Sequence, residues 1–281
     1  NVFSAVCAAA ALYVFFQLMM DLRPGRRRDS GEQRSPEGPL NLVAATVATL
    51  YLAACIPFWI VATRAHPLSF RLMMGLLPFR LVQVTSRRRG HAGFYWAAFV
   101  YGLSVTEYST MMALGPLLAL YMLIALLRQG RFTVGVVLGL LAALLAGLSP
   151  YFLAAWHYMH LPAYAWREFE HYGQVLKYIW LEQWMTLTRS LPRVGWLTMG
   201  ILTVVPWAIS HALQVAPRPR NAGARAGQAL IHVIMAAILV VVWWDLQCSP
   251  TPPSHGQPIV LMPYAFAAVG LGFIATFLAD V

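Results

Sequence analysis

Residues 2–39 read VFSAVCAAAALYVFFQLMMDLRPGRRRDSGEQRSPEGP, an apolar run that is followed by an arginine-rich stretch. Residues 2–22 are apolar enough to cross a bilayer as one helix, which takes about 20 residues. Residues 23–39 hold five arginines with several prolines and glycines, a composition that predicts a flexible linker. An apolar run that ends in clustered arginines is typical of a membrane span with its cytoplasmic flank.

The composition of the whole chain points to the same class. The hydrophobic fraction is 59%, the charged fraction is 11% and the mean hydropathy is +0.62. Soluble domains carry about 45–50% apolar and about 25% charged residues, so this chain belongs among membrane proteins. The net charge of +10 sits at the ends of apolar segments, where it predicts contact with lipid headgroups. No motif favours nucleic acid as a partner.

Further apolar segments predict an all-α, polytopic transmembrane bundle of about nine spans, with eight to ten as the range. The predicted spans are 2–22, 40–62, 68–86, 94–106, 108–127, 133–156, 195–214, 228–245 and 259–279. We expect one transmembrane domain, 1–281, with an amphipathic segment at 157–194 that lies on the membrane face. Because the chain begins without Met and both ends look cut, we expect a piece of a longer polypeptide.

The arginine clusters fall in every second gap between these spans, which predicts the orientation. The predicted cytoplasmic gaps are 23–39, 87–93, 128–132 and 215–227. The predicted non-cytoplasmic gaps are 63–67, 104–110, 157–194 and 246–258. The motif DSGE at 29–32 then lies in the cytoplasmic linker, so we interpret it as loop rather than as a site.

Ionisable residues near a membrane are costly unless they are partnered or wet, so those on the non-cytoplasmic side are candidates for function. Arg64 suits a phosphate through its bidentate guanidinium, with His66 beside it, although snorkelling to headgroups explains Arg64 as well. Glu107 is the only acid between residues 38 and 167, and its alternative is a solvated turn residue. Trp166, Glu168 and His171 are candidates for contact with the acceptor or with lipid.

Other chemistry has weaker support in the sequence. His157 and His160 have the i,i+3 spacing that shares a helix face, but no third metal ligand lies nearby, so we predict no metal site. Phosphate loops, dinucleotide fingerprints and nucleophile elbows are missing. The three cysteines form no CxxC pair.

Several phrases together resemble one family. NVFSAVCAAAALYVFFQLM, FWIVATRAHPLSFRLMM (58–74), FVYGLSVTEYSTMMALGPLLAL (99–120) and PIVLMPYAFAAVGLGFIATFL (258–278) occur in the family's order. They resemble GT-C type glycosyltransferases that use polyprenyl-phosphate sugars. The nearest branch is a multi-span family, formerly of unknown function, whose animal members are protein O-mannosyltransferases.

The resemblance implies transfer of a mannose-like sugar from a polyprenyl-phosphate donor to a protein or glycan on the non-cytoplasmic face. It also implies that the catalytic carboxylate lies in an external loop before Asn1. Glu107 falls where the family phrase reads YGLGLTNHQT, in its Asn or His region, so it is a candidate and not a carried-over catalytic acid. The resemblance leaves room for a divalent cation and predicts no other cofactor.

Two alternatives remain open at the level of sequence: a permease or flippase for a lipid-linked substrate, and a non-catalytic membrane scaffold. The richness in Arg and Ala, with Lys177 as the only lysine, favours a GC-rich bacterial genome. That origin predicts the bacterial inner membrane, with the active face in the periplasm or outside the cell.

Overall fold

The structure is a computed structural model that describes residues 2–22, 37–63, 67–87, 90–107, 109–160, 169 and 171–190, with short pieces inside 226–234 and 265–275. All regular elements in these ranges are helical, which confirms the predicted all-α class. The chain divides into two compact units: residues 1–72 with 193–281 form unit 1, and residues 73–192 form unit 2. The single transmembrane domain stays a prediction.

Nine α-helices are delimited in the described part of the chain, and a 3₁₀ helix, Ser109–Leu114, lies between the fifth and the sixth. The α-helices are α1 (Val2–Leu22), α2 (Glu37–Ala54), α3 (Ile56–Thr63), α4 (Leu68–Arg87), α5 (Ala92–Glu107), α6 (Gly115–Arg128), α7 (Val134–Gly147), α8 (Ser149–His160) and α9 (Tyr172–Ser190).

Two described stretches are long and apolar enough to cross a membrane. They are Val2–Asp21, with a mean hydropathy of 2.0, and Val134–His160, with a mean hydropathy of 2.1. Asn41–Ala54 and Gly115–Arg128 are apolar but shorter. The count of nine spans is therefore not confirmed. The predicted span 195–214 lies outside the described residues, and only short helical pieces of the last two predicted spans lie inside them.

Proline divides two segments that the sequence predicts as single spans. The predicted span 40–62 is α2 and α3, with a break at Cys55 just before Pro57. The predicted span 133–156 is α7 and α8, with a break at Leu148 just before Pro150. A proline has no amide hydrogen for the preceding turn and its ring crowds the carbonyl four residues back, so the helix breaks there.

Other boundaries also differ from the prediction. The last three residues of the predicted linker 23–39 already belong to α2, and 23–36 lies outside the described residues. The predicted span 108–127 is divided between the 3₁₀ helix and α6. Residues 68–86 form one continuous helix, α4, although it contains Pro78. α4 is not among the described stretches that are apolar enough to cross a membrane, so this span is not confirmed.

Unit 1 is packed through small residues. The alanines that α1 and α2 bury, among them Ala8, Ala11, Ala45 and Ala48, are at most 3% exposed. Small side chains let two helix backbones approach closely, as is common in membrane bundles. The rings of Phe3 and Phe70 lie 5.9 Å apart, which places the beginnings of α1 and α4 at the same end of this unit.

Unit 2 is organised by a close contact between α5 and α7. A Cβ added at Gly147 would lie 2.1 Å from the carbonyl oxygen of Phe99 and 3.0 Å from Cα of Gly102. A Cβ added at Gly139 would lie 2.8 Å from Cε1 of Tyr95. Residue numbers in these contacts increase together along both helices, so α5 and α7 run parallel. The connection between them, which includes α6, brings the chain back to the end of unit 2 where α5 begins.

Polar groups of the predicted arginine-rich gaps meet at one end of unit 2. Nε2 of Gln129 donates to the carbonyl of Ser86 at 2.7 Å, and Nη1 of Arg131 donates to the carbonyl of Gly90 at 3.2 Å. The gaps 87–93 and 128–132 therefore lie together, as the alternation requires of two gaps on one side. Glu107, at the far end of α5, lies at the opposite end of the unit.

Candidate functional site

Glu107 is the last residue of α5, and its side chain is exposed. The sequence predicts a turn over 104–110, but α5 continues through Ser104 and Thr106 before it ends. Ser104 Oγ donates to the carbonyl of Tyr101 at 2.8 Å, and Thr106 Oγ1 donates to the carbonyl of Leu103 at 2.8 Å. These bonds satisfy the hydroxyls inside the helix, so the polar stretch does not need to leave it.

Two tyrosine hydroxyls hold the backbone on either side of Glu107. Tyr151, on α8, donates to the carbonyl of Val105 at 3.2 Å, and the bond is buried. Tyr101, on α5, donates to the carbonyl of Met111 in the 3₁₀ helix at 3.0 Å. The last four carbonyls of a helix have no partner within it, so Tyr151 provides a partner for one of them.

Gly115 makes room for the second of these bonds. A Cβ at Gly115 would lie 2.5 Å from the hydroxyl oxygen of Tyr101. Pro116 follows at the start of α6, where a residue without an amide hydrogen loses no helical bond. The pair Gly115-Pro116 thus starts α6 and lets the phenol of Tyr101 reach the 3₁₀ helix.

At the end of unit 2 that carries Glu107, α8 and α9 pack together through aromatic side chains. The rings of Tyr151 and Trp180 lie 6.2 Å apart at an angle of 69°, and those of Tyr158 and Tyr178 lie 6.4 Å apart at 74°. The hydroxyl of Tyr172 donates to the carbonyl of Phe152. Edge-to-face pairs of this kind stabilise packing beyond the area they bury.

Three large apolar side chains of α9 are about half exposed. Trp180, Leu181 and Trp184 are 50%, 48% and 52% exposed, and Lys177 precedes them on the same helix face. Val175, which is fully buried, faces the protein. A helix is therefore present in the predicted segment 157–194, and it exposes two tryptophans. That this helix is amphipathic and lies on the membrane face stays a prediction.

His157 and His160 lie on α8, which continues past the predicted end of the span at residue 156. The ring of His160 stacks on Trp156 with centroids 4.8 Å apart, and its Nδ1 lies 2.8 Å from the carbonyl oxygen of Trp156. No cluster of three or more His, Cys, Asp or Glu side chains that could hold a metal ion occurs among the described residues.

The candidate residues from the sequence divide into two groups. Glu107 and His171 are described, and both are exposed in unit 2: Glu107 ends α5, and His171 directly precedes α9. The 3₁₀ helix after Glu107 packs against α9. Arg64, His66, Trp166 and Glu168 lie outside the described residues, so their roles stay predictions.

Sequence reasoning missed Tyr101, Tyr151 and Gly115. The signal for the tyrosines was present, since a phenol inside an apolar span needs a hydrogen-bond partner for its hydroxyl. The sequence could not predict which carbonyls accept these bonds, because each tyrosine comes close to its acceptor only when the helices pack together.

Comparison with known proteins gives one match. Residues 1–133 match the model of the Protein O-mannosyl-transferase TMEM260 N-terminal domain. The match covers a little under half of the chain and extends from α1 through α6. It supports a membrane O-mannosyltransferase-like relationship and, with it, a transferase. No curated protein and no solved structure matches the chain.

Proposed function

We propose that the chain is part of an integral membrane glycosyltransferase of the GT-C type. It moves a mannose-like sugar from a polyprenyl-phosphate donor to a hydroxyl of a protein or glycan. The observation that carries the proposal is the match of residues 1–133 to an O-mannosyl-transferase domain. The two long apolar helical stretches are consistent with a donor that resides in the bilayer.

The reaction needs a base and a means of stabilising the leaving group. The acceptor oxygen forms a bond to the anomeric carbon, the bond from that carbon to the phosphate oxygen breaks, and the acceptor proton passes to a carboxylate. The leaving group is the polyprenyl phosphate. Arg64, with His66 nearby, is the proposed cation that stabilises the negative charge developing on the departing phosphate.

Glu107 is the candidate carboxylate within the described residues. Two hydrogen bonds fix the backbone around it, and its exposed side chain can meet an acceptor from solution. A catalytic group performs best when its position is set before the substrate arrives. We expect a second carboxylate upstream of Asn1. It would either act together with Glu107 or be the base itself.

The proposed orientation follows from the two ends of unit 2. The end that carries Gln129 and Arg131 would face the cytoplasm, since clustered arginines favour that side. Glu107 and α9 would then face the periplasm or the exterior of a bacterial inner membrane. In that arrangement the exposed tryptophans of α9 lie at the outer interface, next to Glu107's end of the unit.

The test is transfer by the full-length protein in lipid nanodiscs. Polyprenyl-phosphate mannose labelled in the sugar is the donor, and the readout is label in protein or glycan acceptors. We expect Arg64→Ala to abolish transfer at an unchanged protein level, whereas Arg128→Ala, a control arginine in a predicted cytoplasmic gap, leaves transfer intact.

Two results would overturn the proposal. Absence of sugar release with any polyprenyl-phosphate donor removes the enzymatic function. Movement of the intact donor between leaflets without sugar release would identify a flippase instead.

A further inference from the structure

We infer that Tyr101 and Tyr151 are positioning residues that fix Glu107 through the backbone of the turn it begins. The inference rests on the proposed function for its catalytic consequence, but its structural content stands independently. Each hydroxyl donates a hydrogen bond to a main-chain carbonyl. These carbonyls, of Val105 and Met111, lie on either side of Glu107.

The first part of the argument concerns Val105. Its carbonyl lies in the last turn of α5, where the helix itself offers no donor. Val105 is 4% exposed and Tyr151 is 8% exposed, so water has little access to replace the phenol. The hydroxyl of Tyr151 is therefore what keeps the end of α5 in its place against α8.

The second part concerns the turn after Glu107. The hydroxyl of Tyr101 crosses from α5 to the carbonyl of Met111, ten residues further along the chain. Met111 is 3% exposed, and Gly115 leaves the space that the hydroxyl occupies. Glu107 thus lies between two carbonyls that each accept a hydrogen bond from a phenol, and these bonds restrain the backbone on both sides of it.

The chemistry explains why tyrosine serves at these two positions. A phenol is a rigid donor with two side-chain rotations before the ring, and it reaches further than serine or threonine. Phenylalanine keeps the ring and removes only the donor. The Tyr→Phe change is therefore a clean perturbation of each bond.

The test combines amide hydrogen exchange with kinetics in the full-length protein in nanodiscs. We expect Tyr101→Phe and Tyr151→Phe to increase exchange of the amides in 107–114 at least about tenfold, since the turn opens more often when an anchor is lost. Gly115→Ala should act in the same way, because its Cβ displaces the hydroxyl of Tyr101 and leaves the tyrosine intact. Tyr95→Phe is the control, since Tyr95 packs on Gly139 far from the turn.

The kinetic measurements test whether loss of either hydrogen bond lowers the rate of transfer by displacing Glu107. Each Tyr→Phe variant should lower kcat about tenfold with KM for the donor unchanged, and should lower it no further in a Glu107→Gln background. Tyr95→Phe should leave kcat unchanged.

The outcomes separate this inference from the proposed function. Unchanged exchange in both Tyr→Phe variants and in Gly115→Ala overturns the inference, whatever the activity. Increased exchange with fully additive losses of kcat overturns the link to Glu107. Increased exchange in a protein whose wild type transfers no sugar supports the two anchors and refutes the transferase. If Tyr151→Phe does not fold, Tyr101→Phe and Gly115→Ala decide the question.

Discussion

Replacement of Gly147 by alanine should separate α5 from α7 and destabilise unit 2. The added Cβ would lie 2.1 Å from the carbonyl oxygen of Phe99 and 3.0 Å from Cα of Gly102. Favourable contacts between carbon atoms lie at about 3.5–4.0 Å, so the two backbones must move apart by roughly an ångström or more. Both obstacles are main-chain atoms of a helix, which cannot rotate away as a side chain can.

Overpacking of this kind costs about 1–3 kcal/mol, or a decrease of roughly 5- to 150-fold in the ratio of folded to unfolded protein. Gly135→Ala on the same helix is the matched control, because no atom lies within 4 Å of its added Cβ. Since alanine is favoured over glycine in helices by about 1 kcal/mol, that variant should be as stable as the wild type or more stable.

The assay is a denaturant titration of the full-length protein in mild detergent, followed by circular dichroism and tryptophan fluorescence. The difference in the free energy of unfolding between Gly147→Ala and Gly135→Ala is the decisive quantity. If the two variants unfold at the same denaturant concentration, the close contact of α5 with α7 does not exist as described.

Three further changes test the other end of unit 2 and the orientation. Thr133→Ala removes the side chain that accepts from the amide of Val136 at 3.4 Å and caps α7; it should lower stability by about 0.5–2 kcal/mol in the same titration, and Thr133→Ser should restore it. Gln129→Ala removes the bond to the carbonyl of Ser86 and should cost about 0.5–1.5 kcal/mol, with increased hydrogen exchange at the end of α4. Single cysteines at Arg128 and His171, in a cysteine-free background, should react with an impermeant maleimide from opposite sides of sealed vesicles; labelling from one side would refute the proposed orientation.

The sequence was informative where one physical rule governs an element. The apolar run 2–22 is helical throughout as α1, because a long uninterrupted apolar segment has one stable form in a bilayer. The periodicity within 157–194 likewise predicted a helix there, which the structure contains as α9. The pairing of the gaps 87–93 and 128–132 at one end of unit 2 agrees with the alternation of arginines.

The sequence was less informative where two rules compete. Hydropathy over 133–156 favours one straight span, whereas Pro150 favours a break, and the structure shows that the break occurs while the helical stretch continues to His160. The polarity of 104–110 favours a turn, but Ser104 and Thr106 satisfy their hydroxyls inside α5. In both cases the outcome depends on local hydrogen bonds that a hydropathy pattern does not contain.

The contact of α5 with α7 also sets the geometry around Glu107. Tyr101 lies between Phe99 and Gly102, the two residues of α5 that contact Gly147. Tyr151 follows Gly147 by four residues, on α8. If the helices separate at Gly147, Tyr151 moves away from the carbonyl of Val105. Gly147→Ala should therefore increase hydrogen exchange in 107–114 as Tyr151→Phe does. Thr133→Ala, with a comparable loss of global stability but at the opposite end of α7, should leave exchange there unchanged under native conditions. Equal effects of the two variants on 107–114 would mean that the turn reports only global stability and that the crossing does not position it.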